Sequence, residues 1–311
     1  MKKAVGIDLG GTFIKGAIID EEGHIVVKNE IPTEVEKGPE DILKRIEVLV
    51  HSLARGASVA LSDLAGVGIG IPGFLDDATG MAVEVVNLGW KDVSVRDPLK
   101  ERLGLPIYLE NDANSAALGE AWVGAGRGRD SAICITLGTG VGGGIVLGAR
   151  VLRGANVMAG EIGHMVMDPD GARCNCGRHG CLETVSSATG IVRLAKERLA
   201  RGETSSLNAN QLTPADVFAA AAQGDIVATE VLSYAIDTLG RGLAIAAVLI
   251  NPEVIVVGGG MSRAGNALFK PLNASFKHYA LPRVAEVADI VPATLGNDAG
   301  VVGAGKLALY S

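Results

Sequence analysis

Three of the chain's four cysteines fall within eight residues, Cys174, Cys176 and Cys181 in CNCGRHGC. Thiolates crowded beside histidine make a nitrogen-and-sulfur donor set of the kind that holds zinc. His179 lies inside this loop and His164 ahead of it, and spacing leaves both open as a fourth ligand. A second chemical candidate is Asp112 in LPIYLENDANSAALGEAW. An apolar strand expected over 106–109 leads through Glu110–Asn111–Asp112 into a helix expected from about Ala113. A carboxylate at that strand end can serve as the helix N-cap or as a general base.

Two glycine turns supply a candidate anion site. Asp8–Leu9–Gly10–Gly11–Thr12 and Leu137–Gly138–Thr139–Gly140 each join two strand-like runs. In phosphate loops of the Walker or dinucleotide type the glycines open a helix. Here a second strand follows, so any phosphate must meet the bare N–H groups of a hairpin tip. A pair of such tips can grip the phosphate chain of a nucleotide, whereas either alone can be a tight turn and nothing more. Gly258–Gly259–Gly260 differs: it follows a buried strand and precedes a helix expected near Ser262, a suitable wall for an adenosine pocket.

The elements that position these residues repeat. Ile7–Asp8–Leu9–Gly10 lies over Ile135–Thr136–Leu137–Gly138, and Gly16 over Gly144, both 128 positions apart. A shared turn followed by further strand-like runs reads as a duplication. Helical periodicity appears over 39–55, with Ile42, Leu43, Ile46, Leu49, Val50 and Leu53 on one face. Further helices are expected over 187–200, 214–222, 226–250 and 298–310, the last rich in small residues suited to close packing. Strand meanders followed by helices in each half predict an α/β fold of two related lobes.

Composition narrows the partners. The chain has 311 residues, 48% hydrophobic and 20% charged, enough for about two domains. Its net charge of −7, with no basic cluster larger than Arg127–Gly128–Arg129, argues against nucleic acid or an anionic membrane surface. The N-terminus lacks a signal-peptide pattern, and the apolar run over 242–252 is too short to span a bilayer. Together these predict a soluble, cytoplasmic chain.

The motifs Asp8–Thr12, Glu110–Asn111–Asp112, Leu137–Gly140, Glu161–Ile162–Gly163–His164 and Cys174–Glu183 occur in the order seen in the ROK family, and the chain resembles that family over nearly its whole length. The family contains bacterial sugar kinases and sugar-responsive repressors. The resemblance implies an actin-like, ribonuclease-H-like duplicated two-lobe fold with a central nucleotide and sugar cleft. A smaller lobe of residues 1–112 plus 298–311 and a larger lobe of 113–297 carrying the zinc loop are expected. It also implies structural zinc held by His164, Cys174, Cys176 and Cys181, and a homodimer. A Cys3His shell has no open position for water, so its use is to hold the neighbouring Glu161 and Glu183.

By the same resemblance Asp112 takes the proton of a hexose 6-hydroxyl as that oxygen attacks the γ-phosphate of ATP. Gly10, Gly11, Thr12, Gly138, Thr139 and Gly140 cradle the phosphates, and Gly258 and Gly259 flank the adenosine. Asp8 orients Mg2+ through water, or else caps its own turn. Asn87, Asn111, Glu161, His164 and Glu183, with backbone near Gly73, read the sugar hydroxyls. The run Val86–Asn87–Leu88–Gly89–Trp90 resembles the bacterial ROK glucokinases and favours glucose. The rival readings are a kinase for mannose, fructose, N-acetylglucosamine or N-acetylmannosamine, polyphosphate as donor, or a sugar sensor without turnover. A repressor would need a helix-turn-helix segment ahead of the first strand, where only two residues stand.

Overall fold

A computed structural model describes residues 2–310. Three antiparallel strands come first: β1 (Lys3–Leu9), β2 (Phe13–Asp20) and β3 (Ile25–Pro32). Strand β4 (Leu64–Ile71) follows, then a separate three-stranded sheet of β5 (Phe74–Asp76), β6 (Met81–Val85) and β7 (Trp90–Ser94). Strand β8 (Ile107–Asn111) completes the first sheet in the order β3-β2-β1-β4-β8, with β4 parallel to both its neighbours. The second sheet uses β9 (Ser131–Leu137), β10 (Val141–Leu147), β11 (Arg150–Val151), β12 (Val254–Gly258) and β13 (Asp289–Pro292). Its order, β11-β10-β9-β12-β13, repeats the first position for position.

The duplication read from the sequence is therefore a duplication of topology. Strands β1 and β9 begin and end 128 residues apart, and β2 and β10 begin at the same offset. The third strand is where the copies diverge. Edge strand β3 runs for eight positions, with Ile25, Val27 and Ile31 half-buried and the rest exposed, while β11 keeps two before the chain leaves for the loop that precedes Glu161.

The chain forms two compact units. The first comprises Met1–Asp130, Gly144–Gly160 and Leu295–Ser311, the second Ser131–Gly143 and Glu161–Thr294. In the first unit the helix Pro39–Gly56 buries all six expected apolar residues in one core with Ile7, Leu9 and Ile69. The helix Ala299–Tyr310 closes a second cluster with Ala4, Ala17 and Ile19. Its approach is backbone to backbone: a Cβ on Gly6 would lie 1.9 Å from the Val301 carbonyl oxygen, and one on Gly68 1.9 Å from that of Ala304. No side chain fits there, which is why both strands carry glycine inside an otherwise apolar run.

In the second unit the helix Ile226–Ile250 extends well before the apolar run that stands out in the sequence. Among the described residues it is the one helix long and apolar enough to cross a membrane, and 56% of its most apolar window is buried within the protein. Val231, Leu232, Ala235, Leu239, Leu243 and Ala247 are all buried along it, as a core helix requires.

Candidate active site

The first unit presents the tip between β1 and β2. Thr33, fully buried, ties the tip back: its N–H donates to the Thr12 carbonyl at 2.8 Å and its hydroxyl to that of Gly10 at 2.7 Å. The Gly10 N–H donates to Phe13 O at 3.0 Å. Gly11 and Thr12 are exposed, and their N–H groups have no acceptor among the described residues. The tip thus shows donors outward and keeps its acceptors inward, which a mere tight turn does not require. Asp8 stands at its base. Among the described residues its carboxylate has one ionic partner, Lys15 Nζ at 3.8 Å, and no hydrogen bond to its own turn.

Burial pushes the Asp8 carboxyl above its ordinary value of 3.8, against the pull of Lys15. The fold therefore favours the protonated form. Asp8's contribution to stability is full below that ordinary value and is lost as pH rises through the higher folded one. At neutral pH the charge opposes folding, so Asp8→Asn is expected to raise the unfolding midpoint by about 2 °C. The gain should vanish when the comparison is repeated below pH 3.8. An unchanged or lower midpoint at pH 7 would refute it.

At the end of β8 the structure corrects the sequence reading. The strand runs on through Glu110 and Asn111, which pair with Gly70 and Ile71, instead of ending at Leu109, while the helix, Asp112–Val123, starts within a residue of the expected place. Asn111 is the N-cap: its Oδ1 accepts from the N–H groups of Ala113 at 2.9 Å and Asn114 at 3.3 Å. Asp112 is the first helical residue, also accepting from Ala113 N–H at 2.9 Å. Asn111 Nδ2 donates to the Gly73 carbonyl at 3.4 Å, which joins two of the expected sugar readers. Asn87 lies in a 3-10 turn, Val86–Leu88, with its carbonyl oxygen 3.5 Å from where a Gly11 Cβ would stand. Trp90, by contrast, is a core residue of this unit.

The second unit repeats the arrangement at the tip between β9 and β10. Gly138 O accepts from Ala188 N–H at 2.9 Å, Thr139 O from the Thr189 hydroxyl at 2.6 Å, and Gly140 O from Gly138 N–H at 3.0 Å. The Thr139 and Gly140 N–H groups have no acceptor among the described residues. Beside this tip opens a cavity of about 620 Å3, lined by Thr139 and by Thr189, Val192, Arg193 and Lys196 of the helix Ala188–Ala200. Gly258 and Gly259 do not line it; Gly259 backs the tip, with a Cβ position 2.3 Å from the Leu137 carbonyl oxygen. The helix expected near Ser262 starts at Asn266, because Gly260–Ala264 is a 3-10 turn that ends at Gly265 with φ 56°.

The cysteine loop folds back through bridges Val166–Cys181 and Arg173–His179. This gathers His164, Cys174, Cys176 and Cys181, whose ligand atoms all lie within 4.8 Å of one another. Cys176 Sγ is 3.6 Å from Cys181 Sγ, and Cys174 Sγ is 3.6 Å from His164 Nδ1. A tetrahedral zinc shell needs edges of about 3.8 Å between sulfurs and about 3.6 Å from sulfur to nitrogen. The donor set fits. His179 stays outside, with its ring Nδ1 3.2 Å from the Gly171 carbonyl oxygen.

The carboxylates ride on this cluster. Glu183 Oε1 is 3.0 Å from Cys174 Sγ and 3.8 Å from His164 Nδ1, while its Oε2 accepts from Val141 N–H at 3.4 Å. Glu161 Oε2 is 3.8 Å from His164 Nε2, so the imidazole turns one nitrogen to the thiols and the other to a carboxylate. Burial pushes the Glu161 carboxyl up, His164 opposes the shift and Glu183 adds to it. Gly163 must be glycine, since its Cβ would lie 2.0 Å from the Val141 carbonyl oxygen.

Comparison with known proteins decides the relationship: the ROK family matches residues 4–310. The chain belongs to the ROK family. It is 48% identical to the glucokinase of Halalkalibacterium halodurans, over 97% of this chain and 94% of that protein. The crystal structure of a ROK hexokinase from Thermus thermophilus superposes with TM-score 0.87 at 34% identity, covering 99% of this chain and 98% of that one. That of a ROK family glucokinase from Streptomyces griseus, in complex with glucose and AMPPNP, gives 0.79 at 36% identity, with 98% of each chain covered. The ROK fold is actin-like, as the repeated sheets require.

Two groups in this ROK chain were not assigned a role from the sequence. One is the polar side of the helix Ala188–Ala200, with Thr189, Arg193 and Lys196, which reads as an ordinary solvated face. The other is Glu110, buried at 1% exposure, whose charge is met by Arg153 from 43 residues downstream. A charged residue inside a strand, in LENDA, was the available hint.

Proposed function

We infer that this ROK chain is an ATP-dependent glucokinase that converts D-glucose to glucose 6-phosphate. The observation that carries the reading is likeness over the full length to glucokinases, one of which was crystallised with glucose and AMPPNP. The local chemistry supports it. Two hairpin tips with inward acceptors and outward donors are anion sites, one in each unit. The cavity beside Thr139 has the volume and mixed lining of a nucleoside pocket.

In the reaction, Asp112 accepts the 6-hydroxyl proton while the hexose oxygen forms its bond to the γ-phosphorus and the bond to the β,γ-bridging oxygen breaks, releasing ADP. The donors of Gly11, Thr12, Thr139 and Gly140 hold the phosphate oxygens. Asp8 would hold Mg2+, which neutralises phosphate charge when bound. Asn87, Asn111, Glu161, His164 and Glu183 read the hydroxyls, each missing hydroxyl leaving a polar group unpaired. His164, Cys174, Cys176 and Cys181 would hold a zinc ion that keeps the reading loop in shape.

The test is ATP-dependent ADP release with glucose, mannose, fructose, N-acetylglucosamine and N-acetylmannosamine, with the product identified. Glucose is expected to give the highest kcat/KM and the 6-phosphate. A different preferred hexose would overturn the choice of glucose, and no turnover with any sugar would overturn the kinase reading.

A further inference from the structure

The helix start that carries Asp112 is held from below by a charge network that runs from buried Glu110 through half-buried Arg153 to exposed Asp77, and phosphoryl transfer as described assigns it no task. Glu110 Oε1 accepts from the Asn111 N–H at 3.0 Å and from Asn114 Nδ2 at 3.0 Å. It thus grips the residue before Asp112 and the residue two after it. Glu110 Oε2 accepts from Arg153 Nε at 2.7 Å. The same guanidinium donates from Nη2 to the Leu109 carbonyl at 3.1 Å and from Nη1 to Asp77 Oδ2 at 2.8 Å. Asp77 is itself steadied by Arg96, whose Nη2 donates to its Oδ1 at 2.7 Å.

Such a network is a poor device for stability. Taking a carboxylate and a guanidinium out of water offsets most of what their attraction returns, and apolar replacements often do as well. It is a good device for placement. A fork with three engaged nitrogens fixes both the strand end and the carboxylate beneath the helix, in one orientation. It also matters electrostatically, since an unpaired Glu110 would put a second negative charge two residues from the proton acceptor.

We propose that Arg153 is a positioning residue for phosphoryl transfer: through Glu110 it sets the place of Asp112 and screens it from Glu110's charge. This rests on the reading of Asp112 as the proton acceptor. Arg153 touches Leu109, Glu110 and Asp77, and its task concerns the chemical step rather than sugar affinity.

The experiment compares wild type, R153M, E110Q and the double variant E110Q/R153M in steady-state kinetics, well below each unfolding midpoint. R153M is expected to lower kcat about 100-fold, the loss that a misplaced reacting group brings, with the KM for glucose changed less than about threefold. The double variant, which has no buried charge left unpaired, is expected to recover at least about tenfold in kcat. It also keeps the test alive if R153M alone does not fold. A kcat for R153M within threefold of wild type, or a double variant no faster than R153M, would overturn the proposal.

Amide hydrogen exchange gives a readout independent of turnover. The Ala113 and Asn114 amides should exchange faster in R153M and return toward wild type in the double variant; unchanged exchange would overturn the assignment. If wild type turns over no hexose, the glucokinase reading falls, and the exchange result still decides the role of Arg153.

Discussion

Asp112→Asn is expected to lower kcat by about 10²- to 10⁴-fold while glucose affinity and the fold stay nearly as they were. The geometry at the helix start makes this a clean experiment. The cap is Asn111, whose Oδ1 takes the Ala113 and Asn114 N–H groups, so the helix does not depend on the residue replaced. An asparagine at 112 keeps an oxygen for the Ala113 N–H, now met at 2.9 Å, and loses the capacity to accept a proton. Removing a negative charge from the first turn costs about 0.3–1 kcal/mol, or a few degrees in the unfolding midpoint. Steady-state kinetics beside calorimetric glucose binding will check it. Activity near that of wild type would remove Asp112 from the mechanism.

Loss of the zinc ion proposed for His164, Cys174, Cys176 and Cys181 should be the most damaging change to binding. Cys181 is fully buried, sits at the N-cap of the short helix Leu182–Ser186 and bridges Val166. Cys181→Ser, or dialysis against a strong chelator, is expected to remove one zinc per chain by elemental analysis. Losing a structural metal belongs to the class of changes worth upwards of about 4 kcal/mol, so the midpoint should fall by roughly 10 °C. Glu161, His164 and Glu183 then lose their common anchor. Two charge-assisted hydrogen bonds at about 1.5–3 kcal/mol each predict a glucose affinity at least ~100-fold weaker. A metal-free protein that binds glucose as wild type does would show that the loop holds itself.

The fold was legible where chemistry is local and periodic. The helix Pro39–Gly56 buries the six residues its spacing marks, and β1 and β9 coincide at the offset read from the repeated glycine turn. Reading stopped where two residue types satisfy the same rule. Asn and Asp are equally good caps, so nothing in Glu110–Asn111–Asp112 says which one caps; the hydrogen bonds from Ala113 and Asn114 say it is Asn111. Spacing alone left both His164 and His179 open as ligands and only the family resemblance chose His164; the loop, doubling back through its two bridges, turns His179 to the Gly171 carbonyl. Arg153 was out of reach for a different reason. Its partners lie in sequence-distant strands and turns, and no local pattern announces a pairing that long-range folding creates.

The packing of Ala299–Tyr310 against Gly6 and Gly68 has a bearing on how the protein is made. The strand Lys3–Leu9 leaves the ribosome about 290 residues before the helix that covers it, a delay of roughly 15 to 60 s at ordinary elongation rates. Throughout that time Ala4, Ala17 and Ile19 lack Val301 and Val302, their neighbours in the finished core. Vectorial synthesis therefore finishes the second unit, whose residues end at Thr294, before the first can be sealed. A released chain truncated after Thr294, which keeps every residue of the second unit and lacks the sealing helix, should be cut by protease among its earliest strands while the cysteine-loop segment resists.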